Sequence, residues 1–531
     1  MSPSYETTDV LVLGTGFGGA IPGYHLAAGG AKVLFLERGP HLKTEDFTHD
    51  LQIGTYTRIV DAIIGQGVAV AAGNVVGGSS VVYFAASLRA PSFVFRRRLP
   101  AGRPLWPRQI TRARLDPYYD RVEETLPVAR EDWDDVTFAG GVFAAACRRA
   151  GHTCNPVPVA VDLEACTNCN WMVNGCRFGA KRSMLLNYLP AAVAEGAEIR
   201  PLHEVQRIRP AATPGYRYAV DFQTVDPDDY REYLDGGVIE AKVVIVAAGA
   251  MGSPVILERS RPFLPLLSRQ VGRNFSPNGD LVTTEVVDED KVRSLLGLSR
   301  GRAAYDAYPI GRPITSMTYD FLDPSRPEGT RFGMQHIYFP PTLNVIPNDG
   351  GAHQGFLGLG KRDVSRNWRS WVSVLSMVED ANEGTFGPPP PAGNFVRLAP
   401  AAAVTTLDYP ASEFTLRAFD TADREVRRIF EKDGLARHLQ WTGEAAFLSA
   451  HPLSTCRMGT TVDDSVVNID NQVWGYPGLF VTDASTIPTS LCVNPSLTVA
   501  AMAERASDRI ARIAPELGVQ VRVGAPVPGR M

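Results

Sequence analysis

No stretch of the 531-residue chain approaches the ~18 consecutive apolar residues that a membrane-spanning helix requires, so no transmembrane segment is expected. Long runs of one charge are missing too. The longest basic run is Arg96-Arg97-Arg98, and 53 Lys and Arg against 57 Asp and Glu leave a formal net charge of −4. A nucleic-acid surface needs a basic cluster or stripe, so nucleic acid is excluded as a partner and a small neutral or apolar molecule is left. The N-terminus, "MSPSYETTDVLVLG", has no basic region ahead of its apolar run. It reads as a buried strand and not as a signal peptide, which predicts a cytoplasmic protein. No internal repeat is visible. With 44% hydrophobic and 21% charged residues the balance is that of a folded globular chain. Its length exceeds what one core supports, so two or more packed units are expected.

Cysteine is scarce and odd in number: seven, of which Cys154, Cys166, Cys169 and Cys176 fall close together in sequence. "CTNCNWMVNGC" has the C-x2-C spacing of zinc and iron–sulfur sites, but no histidine follows Cys176 at finger-like spacing, so a fourth ligand has to come from Cys154. A tight loop of reduced thiols, or one disulfide, accounts for the same pattern, and no metal is expected.

The most informative stretch is "DVLVLGTGFGGAIPGYHLAAGGAKVLFLERG". Val10 to Leu13 read as a strand buried on both faces. They enter Gly14-x-Gly16-x-x-Gly19, and a helix follows from about Gly18 to Ala28. A second apolar run, Val33 to Leu36, ends at Glu37. Each residue has a mechanical task in a dinucleotide-binding βαβ unit. Gly14 makes the tight turn, Gly16 lets the backbone approach a pyrophosphate, and Gly19 lets helix and strand pack. The helix N-terminus faces the phosphate charge, and Glu37 accepts from a ribose diol. Pro22 is tolerable only in the first turn of that helix. The motif alone does not choose between NAD and FAD. Its place at the start of a long chain favours FAD, because the remainder must then enclose the isoalloxazine.

A second glycine cluster, "GNVVGGSSVVY" (Gly73 to Tyr83), offers Asn74, the backbone of Gly77 and Gly78, and the hydroxyls of Ser79 and Ser80 to a flat ligand at close approach.

With these motifs the chain resembles the glucose–methanol–choline (GMC) flavin oxidoreductases over nearly its whole length. The resemblance rests on "GTGFGG", "GNVVGGSSVV", "VVIVAAGAMGSP" (Val243 to Pro254), "VGRNFSPNGD" (Val271 to Asp280), "HPLSTCRMG" (His451 to Gly459) and "LFVTDASTIPTSLCVNPSLTVAAMAERASDRI" (Leu479 to Ile510). Within the family it is most similar to the bacterial cholesterol-oxidase branch. This implies an α/β fold, α+β overall: a Rossmann-type FAD-binding domain and a substrate domain on a mainly antiparallel sheet. The FAD domain maps to 1–90, 200–281 and 455–531, and the substrate domain to 91–199 and 282–454. "FGPPPPAGNFVRLAPAAA" (Phe386 to Ala403) reads as a surface loop of the second domain.

The resemblance also implies site residues. Phe17 and Gly18 join the nucleotide turn, with Arg38 after Glu37. Val205 sits where the family holds adenine through its backbone, and Ala248 lies in the mid-chain turn. Asp483 and Ala484 match positions beside the ribityl chain and diphosphate. Asn494, Pro495, Ser496 and Leu497 open an amphipathic helix carrying Val499, Met502, Ala506, Ile510 and Ile513 on one side. Its positive end is aimed at the flavin pyrimidine. FAD is expected to be non-covalent, since no His or Cys lies close to Gly77–Tyr83.

The implied chemistry is oxidation of an alcohol CH–OH to a carbonyl, with hydride transfer to flavin N5. His451 matches the family's base, and a neutral imidazole with an unperturbed pKa of ~6.5 suits the task. Asn494 matches the partner that holds the same oxygen. Glu383, near Asn382 and Glu379, is the candidate for the sterol branch's substrate-loop glutamate. His336, His353 and His438 are expected to be unremarkable. Tyr83, where the family usually has Asn or His, and Phe84 and Ala85, which replace small residues, depart from the pattern. The substrate implied is an apolar, sterol-like or terpenoid alcohol, and the acceptor is oxygen or another oxidant. The alternatives are a dehydrogenase for a non-sterol alcohol or sugar, a lyase with a structural flavin, an electron-passing protein using the Cys154–Cys176 region, and an NAD enzyme.

Overall fold

Val10 to Leu13 are all at most 1% exposed, as a strand covered on both faces must be. In the computed structural model, which describes residues 5–50, 58–98, 102–229, 232–297, 311–338, 370–386, 407–438 and 447–524, they belong to β1 (Glu6–Leu13). Its parallel neighbours are β2 (Val33–Leu36) and, on the other side, the second half of a long strand near residue 240. The remaining strands of this sheet are β3 (Glu198–Arg200), β4 (His203–Pro210), β5 (Tyr218–Val225) and that long strand, β6 (Tyr233–Val246). The order is β3-β2-β1-β6-β5-β4, with the short strand Leu479–Val481 also paired parallel to β6. Glu198 and Ile199 thus lie in this sheet, just ahead of the Arg200 boundary drawn from the sequence. The proline-rich residues 387–403 and His353 lie outside the described residues.

Helix α1 (Phe17–Ala28) joins β1 to β2. It begins one residue earlier than expected, which puts Pro22 in the second turn, where its missing N–H leaves the Gly18 carbonyl without its helical donor. Thr482 Oγ1 supplies the replacement, donating to Gly18 O at 2.6 Å. Four more helices cover this region, α2 (Arg112–Thr125), α3 (Tyr188–Ala194), α4 (Gly249–Ser260) and α5 (Ser496–Ile513), with α3 and α5 packed on α1, α2 on α5, and α4 on β4. The buried Glu504 of α5 ties three of them together. Its carboxylate meets His25 Nε2 at 2.9 Å and accepts from Tyr188 Oη at 2.6 Å. Burial in α5 runs continuously from Leu497 to Ser507, so the one-sided pattern expected for this helix holds only in its C-terminal half.

The second sheet is antiparallel. Its central strands are β7 (Asp280–Val287), β8 (Ser316–Thr318), β9 (Phe332–Ile337) and β10 (Trp371–Val378), in the order β7-β10-β9-β8, with short strands Ala436–His438 and Asn155–Pro156 at the two edges. One face carries Val372, Val374, Val378, Phe332 and Met334, which pack in one cluster with helices Phe138–Ala150 and Glu413–Glu431. The opposite face carries Val282, Leu375, Met377, Met317 and Ile337, which belong to the main core with the first sheet. His336 sits on the helix-covered face, fully buried, and burial lowers its pKa to about 3. His438 pairs with Glu285 at 2.8 Å. No helix among the described residues is long and apolar enough to cross a membrane.

Candidate active site

The two glycine-rich loops meet back to back. Gly14 has φ +107°, and a side chain there would strike the Ala247 carbonyl; one on Gly19 would strike the Gly14 carbonyl. A Cβ on Gly18 would lie 2.6 Å from Asp483 Cα, and one on Gly78 (φ +57°) would lie 2.8 Å from Gly16 Cα. Gly16 differs: a Cβ there meets only Gly78 Cα, at 4.0 Å. Its side of the turn is left open by the protein, the cradle a pyrophosphate-bearing ligand needs.

Thr15, the variable residue inside the first motif, was given no task by sequence reasoning, yet it joins the loops. Its Oγ1 donates to Glu37 Oε2 at 2.6 Å and accepts from Gly77 N at 2.9 Å. Glu37 also accepts from Thr15 N at 3.0 Å and Gly39 N at 3.1 Å, so its carboxylate is fixed at the end of β2. Next to it Arg38 pairs with Asp61, while Arg38 Nη1 and Asn74 Oδ1 are buried without protein partners. Those unmet groups fit a polar ligand lying along the loops. Ser79 Oγ accepts from Gly73 N, and Ser80 Oγ donates to Gly77 O and accepts from Met184 N. These hydroxyls shape the loop's own backbone.

Phe17 opens α1 and sets its ring edge-on to Tyr83 at 5.8 Å. Val205 is buried on β4 opposite Phe222. Ala248 caps α4, its N–H donating to Ser253 Oγ at 3.1 Å. Asp483 accepts four hydrogen bonds, from Gly249 N, Ser253 Oγ, Ser485 N and Ser485 Oγ. Burial raises its pKa while these donors oppose the rise. Its backbone, against Gly18, is what borders the nucleotide turn. Ala484 follows, its carbonyl accepting from Ser454 N at 3.3 Å.

His451 and Asn494, 43 residues apart, come together: Asn494 Nδ2 lies 3.4 Å from His451 Nε2. The other ring nitrogen, Nδ1, lies 2.9 Å from Asp280 Oδ1. Asp280 Oδ2 accepts from Ser449 Oγ at 2.9 Å, and that hydroxyl also receives His451 N at 3.0 Å. The ring is therefore anchored at one nitrogen by a carboxylate 2% exposed, and its other nitrogen faces Asn494. Asn494 Oδ1 is buried and has no partner. Just after it, Pro495 caps α5, Ser496 Oγ donates to Ala86 O, and Leu497 is buried.

Neither Asp280 nor Asn278 was assigned a role from the sequence, although both stand in "SPNGD". Asn278 and Gly279 have φ of +58° and +63°, the left-handed turn that Asn-Gly favours, and this turn starts β7 with Asp280 aimed at His451. The Asn278 amide donates to Val493 O at 3.0 Å and accepts from Leu491 N at 2.7 Å, which holds the segment leading to Asn494.

Glu383 is placed apart from that pair. Its Oε1 accepts from Ser412 N at 2.7 Å ahead of helix Glu413–Glu431, its Oε2 is buried without a partner, and it has no hydrogen bond to His451 or Asn494. Asn382 ties the same turn to the His451 loop by donating to Ser454 Oγ at 2.9 Å. Glu379 is ion-paired with Arg331 at 2.6 Å. Asp380, whose pKa burial and the nearby Glu383 raise to about 7, accepts from Ser276 Oγ at 2.5 Å.

Cys166, Cys169 and Cys176 line one small cavity of about 20 Å³ together with Lys181 and Arg312. Cys154 lies elsewhere, buried in the helix-covered cluster with Cys147. All seven thiols are free, and no group of three or more His, Cys, Asp or Glu among the described residues is arranged to hold a metal ion. Lys181 is buried, its amine pushed down to about 7 by desolvation, and it donates to the carbonyls of Val81, Met172 and Tyr83. It fastens the cysteine loop to the second glycine cluster.

Two glycine-rich loops packed back to back and a histidine held by a carboxylate beside an amide are the features that binding a dinucleotide and moving a hydroxyl proton require. GMC oxidoreductase family models match residues 9–276 and 390–503, and the chain is a FAD-dependent oxidoreductase of the GMC oxidoreductase family. It is 26% identical to a cholesterol oxidase of Mycobacterium tuberculosis, over 96% of this chain and 91% of that one. It is also 26% identical to the 2-methyl-1,2-propanediol dehydrogenase of Mycolicibacterium austroafricanum, over 96% of each chain. Among solved structures, pyridoxine 4-oxidase from Mesorbium loti shares the fold, with a TM-score of 0.64 at 17% identity over 94% of this chain and 98% of that one.

Proposed function

We propose that this protein oxidises the CH–OH group of an apolar, sterol-like or terpenoid alcohol to a carbonyl, with His451 as the base. The observation that carries the reading is the ring of His451 held between Asp280 and Asn494. A carboxylate at Nδ1 favours the tautomer with its proton there, leaving the Nε2 lone pair for the substrate hydroxyl proton. The Asn494 amide, beside Nε2, holds the same oxygen and limits which C–H is presented. Its unpartnered Oδ1 is a further acceptor at the site. Bound FAD supplies the hydride acceptor.

The residues that hold FAD in this reading are the Gly14–Gly19 turn, Glu37, Arg38, Asn74, Gly77 and Gly78, the backbones of Val205, Ala248, Asp483 and Ala484, and the start of α5. Non-covalent attachment is supported by the absence of His and Cys from Gly73 to Phe84. The glycine loops and the mixed sheet around β1 form the cofactor domain, and the antiparallel sheet forms the substrate domain. Relatives named for cholesterol and for long-chain alcohols support an apolar substrate, and the diol dehydrogenase leaves the electron acceptor open between oxygen and another oxidant.

Single-turnover analysis under argon tests the reading. One equivalent of carbonyl per flavin bleached is the expected result. Carbonyl release from a flavin that stays yellow assigns the site to a lyase instead.

A further inference from the structure

Register in the antiparallel sheet decides which side chains share a face, because residues directly opposite one another point the same way. Asp280, Met377 and Gly333 form one row across β7, β10 and β9; Val282, Leu375, Gln335 and Met317 form the next row, continuing to β8. The first row borders the reaction centre at both ends. Asp280 holds His451, and Gly333 N donates to Cys492 O at 3.0 Å, two residues before Asn494. A side chain on Gly333 would strike that carbonyl and the Met317 methyl, which confirms that this face looks toward the Cys492–Asn494 segment.

The second row is apolar apart from Gln335. That residue is fully buried, and both Nε2 and Oε1 lack any partner. The amide has two donors and two acceptor lone pairs, all unmet, and leaving them so is unfavourable in an apolar surround. His336, next in sequence, also has two unpartnered nitrogens, but it points into the helix-covered face, away from His451. Gln335 lies two residues beyond Gly333, ~7 Å farther along the strand, which sets it on the order of 10 Å from Asn494.

We propose that Gln335 is a specificity-determining residue: it receives a second hydrogen-bonding group of the substrate, so the preferred substrates are rigid apolar alcohols with a carbonyl or hydroxyl at the end remote from the reacting one. The inference rests on the alcohol-oxidising reading of the same site. Val282, Leu375 and Met317 contact the apolar body, and Gln335 reads the far polar group. A site built around a buried amide favours a ligand that pairs it and discriminates against one that leaves it unpaired.

The test measures equilibrium binding to the oxidised FAD holoenzyme, followed by the visible spectrum of the flavin and by calorimetry. The probes are a 3,17-diketosteroid and the matching 3-ketosteroid with no oxygen at C17. Neither has an alcohol to oxidise, so binding is read apart from turnover. Wild-type protein is expected to bind the diketone about 10- to 100-fold more tightly. Gln335→Met, close in volume, should remove that preference while keeping the monoketone within about threefold of wild type. Equal binding of the two probes by wild type overturns the proposal, as does a preference that survives in Gln335→Met or binding of neither probe. The wild-type comparison decides even where the variant fails to fold. Failure of 3β-hydroxysteroids to reduce the flavin, with the binding preference intact, counts against the oxidation reading alone.

Discussion

Asp280 Oδ1 lies 2.9 Å from His451 Nδ1, and the two residues are 171 positions apart in the chain. The contact joins the first residue of a strand in the antiparallel sheet to the loop that follows the short strand Phe447–Ser449. It fixes the orientation of the imidazole and favours the tautomer with its proton on Nδ1. Asp280→Asn keeps the shape but can donate to Nδ1 as well as accept from it. Flavin reduction is expected to slow on the order of 10- to 100-fold, with little change in substrate affinity. Stopped-flow reduction at saturating alcohol measures this, and an unchanged limiting rate contradicts the positioning role.

The cofactor cradle makes opposite demands on neighbouring glycines. A Cβ at Gly19 would collide with the Gly14 carbonyl, whereas one at Gly16 finds only Gly78 Cα at 4.0 Å. Gly16→Val is therefore expected to fold but to lose its yellow colour, because the side chain occupies the path of the pyrophosphate. Gly19→Val should fail to fold. Absorbance at the flavin bands together with far-ultraviolet circular dichroism separates the two, and a Gly16→Val protein that retains FAD counts against the cradle.

His336 makes stability depend on pH. Burial holds its ring at about 3, against ~6.5 in the unfolded chain. Between those values the unfolded state binds a proton that the folded state refuses. Stability is thus complete above pH ~6.5 and falls as the pH drops toward 3, by about 2 kcal/mol at pH 5. His336→Met should flatten this acid limb of the Tm profile, and an unaltered slope would show that other groups set it.

Legibility from sequence followed the range of the interactions. Gly14, Gly16, Gly19 and Glu37 were readable because a strand, turn and helix place them within one βαβ unit. His451 and Asn494 were readable from two short motifs. What the sequence could not show depends on pairings made only by the folded chain. Thr15 looked like a free position in its motif, yet its hydroxyl bridges Glu37 and Gly77. Pro22 looked confined to a first turn, but Thr482, 460 residues on, satisfies the carbonyl it orphans. Asp280 ends the motif "VGRNFSPNGD", and nothing local says which loop its carboxylate meets. Cys154 was close to the other cysteines only in sequence.

In the proposed reaction His451 removes the hydroxyl proton while bound FAD is reduced. Its most direct test is anaerobic mixing of wild-type and His451→Ala holoproteins with a 3β-hydroxysterol, following the visible flavin absorbance. Rapid bleaching of the wild type is expected, and bleaching slowed ~10²- to 10⁴-fold in His451→Ala, with FAD content unchanged. Equal rates in the two proteins, or a wild-type flavin that stays oxidised with the sterol and with a panel of other alcohols, would contradict it.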